Sequence, residues 1–211
     1  MTGMAIIEFV LLKPKKELFE GFKEKILPTL INNLYASGVQ DKKGAGFVMT
    51  ENDRELKDEE FTAAYFFQWT SLPHFKSFVV SPEYREFGSR VKEGGYASGP
   101  AELRLIDLSE DLSSIFGSNA VAECLIIKPK DASEAGVQNV LQKLQSGLPQ
   151  FGASKAVVGS TLNLERQEVV VVSSYASDAE LETAKASPAR QQLLVGVSNA
   201  VDVTSLVVHF Q

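Results

Sequence analysis

The chain states one sentence twice. Met4 to Lys15 reads MAIIEFVLLKPK and Asn119 to Lys130 reads NAVAECLIIKPK, with Ala5/Ala120, Glu8/Glu123, Lys13/Lys128, Pro14/Pro129 and Lys15/Lys130 identical at one offset. A second echo pairs SLPHFKSFVVSPEYREF, Ser71 to Phe87, with SDAELETAKASPARQQL, Ser177 to Leu193, each carrying a Ser-Pro the same distance after its first serine. A period near one hundred residues is too long for a solenoid, whose repeats run about 20–50 residues, and fits a doubled domain. In 211 residues there is room for two small cores. The expected division is 1–108 for the first repeat, 109–119 for a linker and 120–211 for the second.

Within the first repeat, Ala5–Leu12 reads as a strand ended by Lys13-Pro14-Lys15. Leu18, Phe19, Phe22, Ile26, Leu30 and Leu34 follow at helical spacing. Pro28 lies inside that pattern and removes a backbone donor, which predicts a kink or break. Gly44–Thr50 and Phe61–Thr70 read as strands. The charged stretch ENDRELKDEE between them is expected to be a solvated hairpin tip, with a lid over a pocket as the alternative. Ser81-Pro82-Glu83 is a helix start: serine accepts from free amides, proline loses no needed donor, and glutamate suits the positive end of the dipole. Ala101–Leu108 closes the unit.

The order β-α-β-β-α-β is that of a ferredoxin-like split unit. The second repeat follows it with strands over Val121–Ile127, Ser154–Thr161, Val169–Tyr175 and Thr204–Phe210, and helices over Glu134–Leu148 and near Leu181 and Leu193. The joint, Ser109–Ala120, reads as a polar tether apart from Ile115 and Phe116. Tyr65, Phe67 and Trp69 alternate with Ala64, Phe66 and Gln68, and valines 169 to 172 form an unbroken run. Both strands are therefore apolar on two faces. Helices cover one face of each sheet, so the other is expected to bury against the opposite repeat. The fold class is α+β, two tandem repeats whose antiparallel sheets pack into one pseudo-dimeric α+β barrel.

The strand ending in Lys-Pro, the third strand ending in aromatic-x-Ser and the segment SLPHFKSFVVSPEYREF together resemble the dimeric α+β barrel superfamily. That group contains the antibiotic-biosynthesis monooxygenases, the stress-responsive A/B barrel proteins and some polyketide cyclases. Its members commonly build the barrel from two subunits; here both halves lie in one chain. The resemblance implies a ligand cavity between each sheet and its helices. The strand-one histidine of the plant polyketide cyclase falls at Glu8, its helical tyrosine at Phe78 and its second histidine at Tyr84, so neither histidine is kept. The haem-degrading members' tryptophan and histidine fall near Phe78 and Gly88, and glycine cannot ligate iron. In the second repeat the cyclase positions give Glu123, Ala184 and Arg190, a set that can form a buried ion pair.

Composition narrows the chemistry. A net charge of −6 argues against a nucleic-acid surface. No stretch reaches the roughly 18 apolar residues of a membrane span, and no signal-peptide pattern opens the chain, which together read as cytoplasmic. Cys124 lies in an apolar run and is expected to be a buried, inert thiol. Two histidines and one cysteine, far apart, offer no metal-ligand set. Gly44-Ala45-Gly46 lacks the third glycine and helix start of a dinucleotide site, so no cofactor is expected.

Aromatic residues crowd the first repeat, whereas residues 120–211 hold only Phe151, Tyr175 and Phe210. An open pocket for a flat ligand therefore belongs to the first repeat, unless the rings simply fill a larger core. Phe22, Tyr65, Phe67, Trp69 and Phe78 are the candidate lining. Glu8, Tyr84 and His74 are the candidate proton-transfer groups. The functional expectation is a cofactor-independent cyclase, isomerase or oxygenase for a hydrophobic aromatic or polyketide-like metabolite. The alternative is a non-catalytic small-molecule-binding or stress-responsive barrel. The expected partner is a hydrophobic small molecule, and the protein a monomer or homodimer.

Overall fold

The computed structural model describes residues 5–108, 112, 115–116, 120–162 and 167–210. In its first half, β1 (Ala5–Leu12), β2 (Val39–Glu51), β4 (Ala63–Trp69) and β5 (Glu102–Leu108) are joined by α1 (Phe19–Lys25), α2 (Leu27–Ala36), α3 (Leu72–Val79) and α4 (Pro82–Glu93). A two-residue strand, β3 (Arg54–Glu55), folds back on the end of β2. The second half supplies β6 (Val121–Pro129), β7 (Lys155–Thr161), β8 (Val169–Tyr175) and β9 (Val201–Phe210), with α5 (Glu134–Gly147), α6 (Asp178–Lys185) and α7 (Pro188–Ser198). None of the described helices is long and apolar enough to cross a membrane.

The strands run in the order β2-β4-β1-β5-β7-β8-β6-β9 and return to β2, which closes an eight-stranded antiparallel barrel. Two seams join the halves, β5 to β7 and β2 to β9. Alternation along each strand then decides which side chains are enclosed. Ile7, Phe9 and Leu11 point into the barrel with Phe66, Cys124 and Val172, while Val10, Phe67 and Trp69 face the helices. The expectation that both faces are buried holds for this reason.

Differences from the sequence reading have local causes. The helix breaks where expected, with Pro28 in the first turn of α2 and Ile26 between the two segments. β2 is longer than Gly44–Thr50 because its polar start, Gln40 to Lys43, pairs with β4 through two bulges that disrupt any hydrophobic alternation. The charged stretch is a hairpin tip: Asn52 and Asp53 both take positive φ, 51° and 61°, as a two-residue turn of this hand requires. It is also docked, since the Asn52 amide donates to Ser205 O at 2.8 Å and the Ser205 amide donates to Asn52 Oδ1 at 3.0 Å. The apolar exceptions of the joint pack on the barrel, and Leu112 joins them. Leu112 and Ile115 are fully buried among barrel residues, and Phe116 lies against Phe66 and Phe210 at 4.8 and 4.5 Å between ring centroids.

Candidate functional site

Glu8 stands in the middle of β1 on the face toward the helices, opposite Phe67 of β4 and Leu105 of β5. It is 6% exposed. Trp69 lies two residues along β4, a diagonal neighbour within reach of a long side chain, and its Nε1–H donates to Glu8 Oε2 at 2.7 Å. Phe75 and Phe78 hold the indole from one side, with ring centroids at 5.5 and 5.7 Å. No cation pairs with Glu8 among the described residues. Burial pushes its carboxyl up to about 7, against a smaller downward pull from the indole hydrogen bond. Near neutrality the group can therefore both take and give a proton.

Tyr84 is set beside this carboxyl by the start of α4, where Ser81 Oγ accepts from the Tyr84 amide at 3.1 Å. Its ring packs between Phe78 and Phe87, at 5.3 and 6.2 Å. Burial raises its phenol, and the charge of Glu8 raises it further.

The second half answers the same problem differently. Glu123, at the matching place on β6, is 1% exposed, and Arg190 Nη2 donates to both of its oxygens at 2.6 Å. Ser205 Oγ adds a hydrogen bond at 3.1 Å. Tyr175, the counterpart of Trp69, does not contact Glu123 by a hydrogen bond; its hydroxyl accepts from Arg190 Nη1 at 3.1 Å and donates to Phe151 O at 3.3 Å. The expected Glu–Arg ion pair is present. Glu8 has an indole where Glu123 has a guanidinium. One orients without neutralising; the other does both.

Of the candidate lining, Phe22, Tyr65, Phe67, Trp69 and Phe78 all lie in one cluster between the first-half sheet and helices. Phe67, Trp69 and Phe78 are buried, at 5%, 1% and 3% exposure, with Trp69 packed against Phe78. Phe22 borders an apolar pocket of about 220 Å³ that also includes Leu12, Phe87, Val91, Tyr96 and Pro100. That pocket is one turn of α4 beyond Tyr84. The loop after α4 makes its outer wall, held on the strand end by the Lys15 amide donating to Tyr96 O at 2.7 Å and the Ser98 amide to Lys13 O at 2.8 Å. The repeated Lys-Pro-Lys is thus a docking point for that loop. Tyr65 faces a separate groove on the other flank of α1.

His74 is not brought to this cluster. It is exposed, its Nδ1 lies 2.8 Å from Ser71 Oγ and its ring covers Gly38. The sequence reading did not single out Phe87 and Tyr96 as lining, although helical spacing places Phe87 one turn from Tyr84. Neither did it foresee the hydrogen bond between Glu8 and Trp69, which depends on strand register. Among the described residues no three of His, Cys, Asp or Glu converge as metal ligands.

The fold and this site define a closed α+β barrel with an uncompensated buried carboxyl in one half and a sealed ion pair in the other. No family model and no curated protein matches the chain. Solved structures do match. An anthrone oxidase-like protein is 16% identical with a TM-score of 0.68, covering all of this chain and 92% of that one. A candidate monooxygenase of Fusobacterium nucleatum is 11% identical at 0.61, over 100% and 94%. A chlorite dismutase variant of Candidatus Nitrospira defluvii, in complex with cyanide, is 12% identical at 0.59, over 100% and 92%. At these identities the likeness is one of fold.

Proposed function

We propose that the protein is a cofactor-independent enzyme that moves a proton on a hydrophobic, aromatic or polyketide-like carbonyl compound, at Glu8 and Tyr84 of the first half. The halves, 1–108 and 120–211 around a 109–119 joint, are read as two ferredoxin-like repeats, of which only the first keeps a working site. One observation carries the reading. Glu8 is buried with a neutral donor on one oxygen and no cation, whereas the equivalent Glu123 is locked by Arg190.

In the proposed step, ionised Glu8 removes a proton from carbon next to a carbonyl. The released electron pair moves onto the carbonyl oxygen, which accepts a hydrogen bond from Tyr84. The resulting enolate can be reprotonated elsewhere, which is isomerisation, or can attack a second carbonyl of the same molecule, which is cyclisation. An oxygenase outcome would consume dioxygen as co-substrate and turn CH2 into C=O with release of water. Phe22, Phe87 and Tyr96 would seat the apolar body, while Trp69 and Phe78 keep water from the carboxyl. Positioned acid–base groups of this kind contribute about 10²- to 10⁴-fold.

A non-catalytic binding barrel is the second reading, and the tight packing of Phe67, Trp69 and Phe78 favours it. Proton exchange separates the two. In deuterated buffer the protein should accelerate exchange at the central carbon of benzoylacetone, followed by NMR. Glu8→Gln should return the rate to that of buffer, and Tyr84→Phe should lower it at least tenfold. Binding of the diketone with exchange no faster than in buffer would decide for the second reading.

A further inference from the structure

Gly44-Ala45-Gly46 is unexplained by the site above, yet each of its three positions has a physical reason. A Cβ on Gly44 would come within 2.8 Å of the Phe210 ring and 3.0 Å of Phe116, and one on Gly46 would run into the carbonyl of His209. Both glycines are therefore required where β2 passes close to β9 at the barrel seam. Ala45 points to the opposite side, pairs with Tyr65 of β4 and packs in the helix-facing layer. Its small side chain leaves space there. The space is a groove of about 420 Å³ between β2, β4 and the helices α1 and α2.

Phe19, Leu27, Ile31 and Phe47 give this groove apolar walls. Tyr65 gives it a polar point. The residue is only 6% exposed and borders the groove, and its hydroxyl hydrogen-bonds to no other described residue. Tyr65 lines the groove, so its hydroxyl is free to donate to a ligand there, and burial alone pushes it up to about 12, so it remains a donor at neutral pH. Charge at the rim points the same way. Glu20 and Lys23 neutralise each other at 2.7 Å, while Lys42 has no ion-pair partner among the described residues. The rim is net positive on a chain whose overall charge is −6.

We infer that this groove is a second small-molecule site, one that takes an organic monocarboxylate with an apolar body, its carboxylate held between Tyr65 and Lys42. The site shares no lining residue with the pocket beside Tyr84 and does not depend on proton transfer at Glu8. An aliphatic and an aromatic acid would satisfy the same donor pair, so both serve as probes.

Isothermal titration calorimetry on the whole protein with decanoate and with 2-naphthoate tests the assignment. One of the two should bind with one-to-one stoichiometry, and the tighter names the shape of the body. Tyr65→Phe should weaken that binding tenfold or more, the loss expected for a hydrogen bond to a charged group. Lys42→Met, at an exposed position, should weaken it up to about fivefold and leave the affinity for decanol unchanged. Ala45→Leu, which fills the groove, should abolish it. Glu8→Gln should bind the acid as the parent does, and Ala45→Leu should keep the diketone exchange, so failure of one proposal is told apart from failure of the other. Absence of binding by both acids at millimolar concentration, or binding that Tyr65→Phe and Ala45→Leu leave untouched, would overturn it.

Discussion

Tyr84 occupies in the first half the place that Arg190 fills in the second. Each is the third residue after a helix-starting serine, Ser81 and Ser187, and each stands beside the glutamate of its half's first strand. The exchange of a phenol for a guanidinium decides whether that glutamate has a cation for a partner.

Installing the cation should therefore silence the first site. Tyr84→Arg is expected to pair with Glu8 as Arg190 pairs with Glu123, to abolish diketone exchange, and to remove the pH dependence of stability described next. Urea denaturation at pH 5 and pH 8 measures the second effect, and unchanged exchange in this variant would count against Glu8 as the base.

Stability should fall as pH rises across the range between the ordinary carboxylate value of 4.5 and about 7. Below that window Glu8 is protonated folded and unfolded alike. Within it the unfolded chain releases the proton and the folded chain keeps it, so the native state loses ground. Above about pH 7 the full loss is reached, on the order of 3 kcal/mol at about 1.36 kcal/mol per pKa unit. Glu8→Gln should flatten this dependence in urea titrations at a series of pH values.

Trp69 is the sole tryptophan, and its N–H rests on the group that titrates. Its fluorescence should change with a midpoint near pH 7, and Glu8→Gln should remove the transition. Trp69→Phe takes away the contact that lowers the Glu8 value, so the carboxyl, followed by its infrared band, should titrate at higher pH than in the parent.

Breaking the sealed pair should be costly in another way. Arg190→Met leaves Glu123 buried and charged with only Ser205 as a donor, and is expected to destabilise the protein by about 3–5 kcal/mol in urea. The exchange reaction of the first half should persist in the folded fraction.

Cys124 offers a probe of barrel opening. It is fully buried in the barrel, and burial raises its thiol well above the usual range. A thiol-specific disulfide reagent should react with it only at the rate of unfolding, accelerating in parallel with denaturant.

Most of the architecture was legible because it rests on short-range patterns. The double apolar faces of Tyr65–Trp69 and Val169–Val172 announced a sheet buried on both sides, and Ser81-Pro82 announced a helix start. β2 was underestimated because bulges interrupt its alternation. In the joint, Ile115 and Phe116 stand out in the sequence as apolar exceptions, whereas Leu112 does not, because its burial comes from strands distant in sequence. At the site, Glu8 is visible as a charge in an apolar strand, and Tyr84 only through the position that the family resemblance gives it. Their setting was not, because the Trp69 hydrogen bond follows from strand register and the loop wall of Tyr96 from a contact with Lys15. His74 had the right chemistry at a helix start, but its backbone turns it toward Gly38 and solvent.

The seams β5–β7 and β2–β9 are made of unlike strands within one polypeptide. A barrel assembled from two identical subunits would have to bury a carboxyl without a cation in each copy. A continuous chain is free of that symmetry. It can leave the carboxyl of one half without a cation while the other half holds its own in an ion pair.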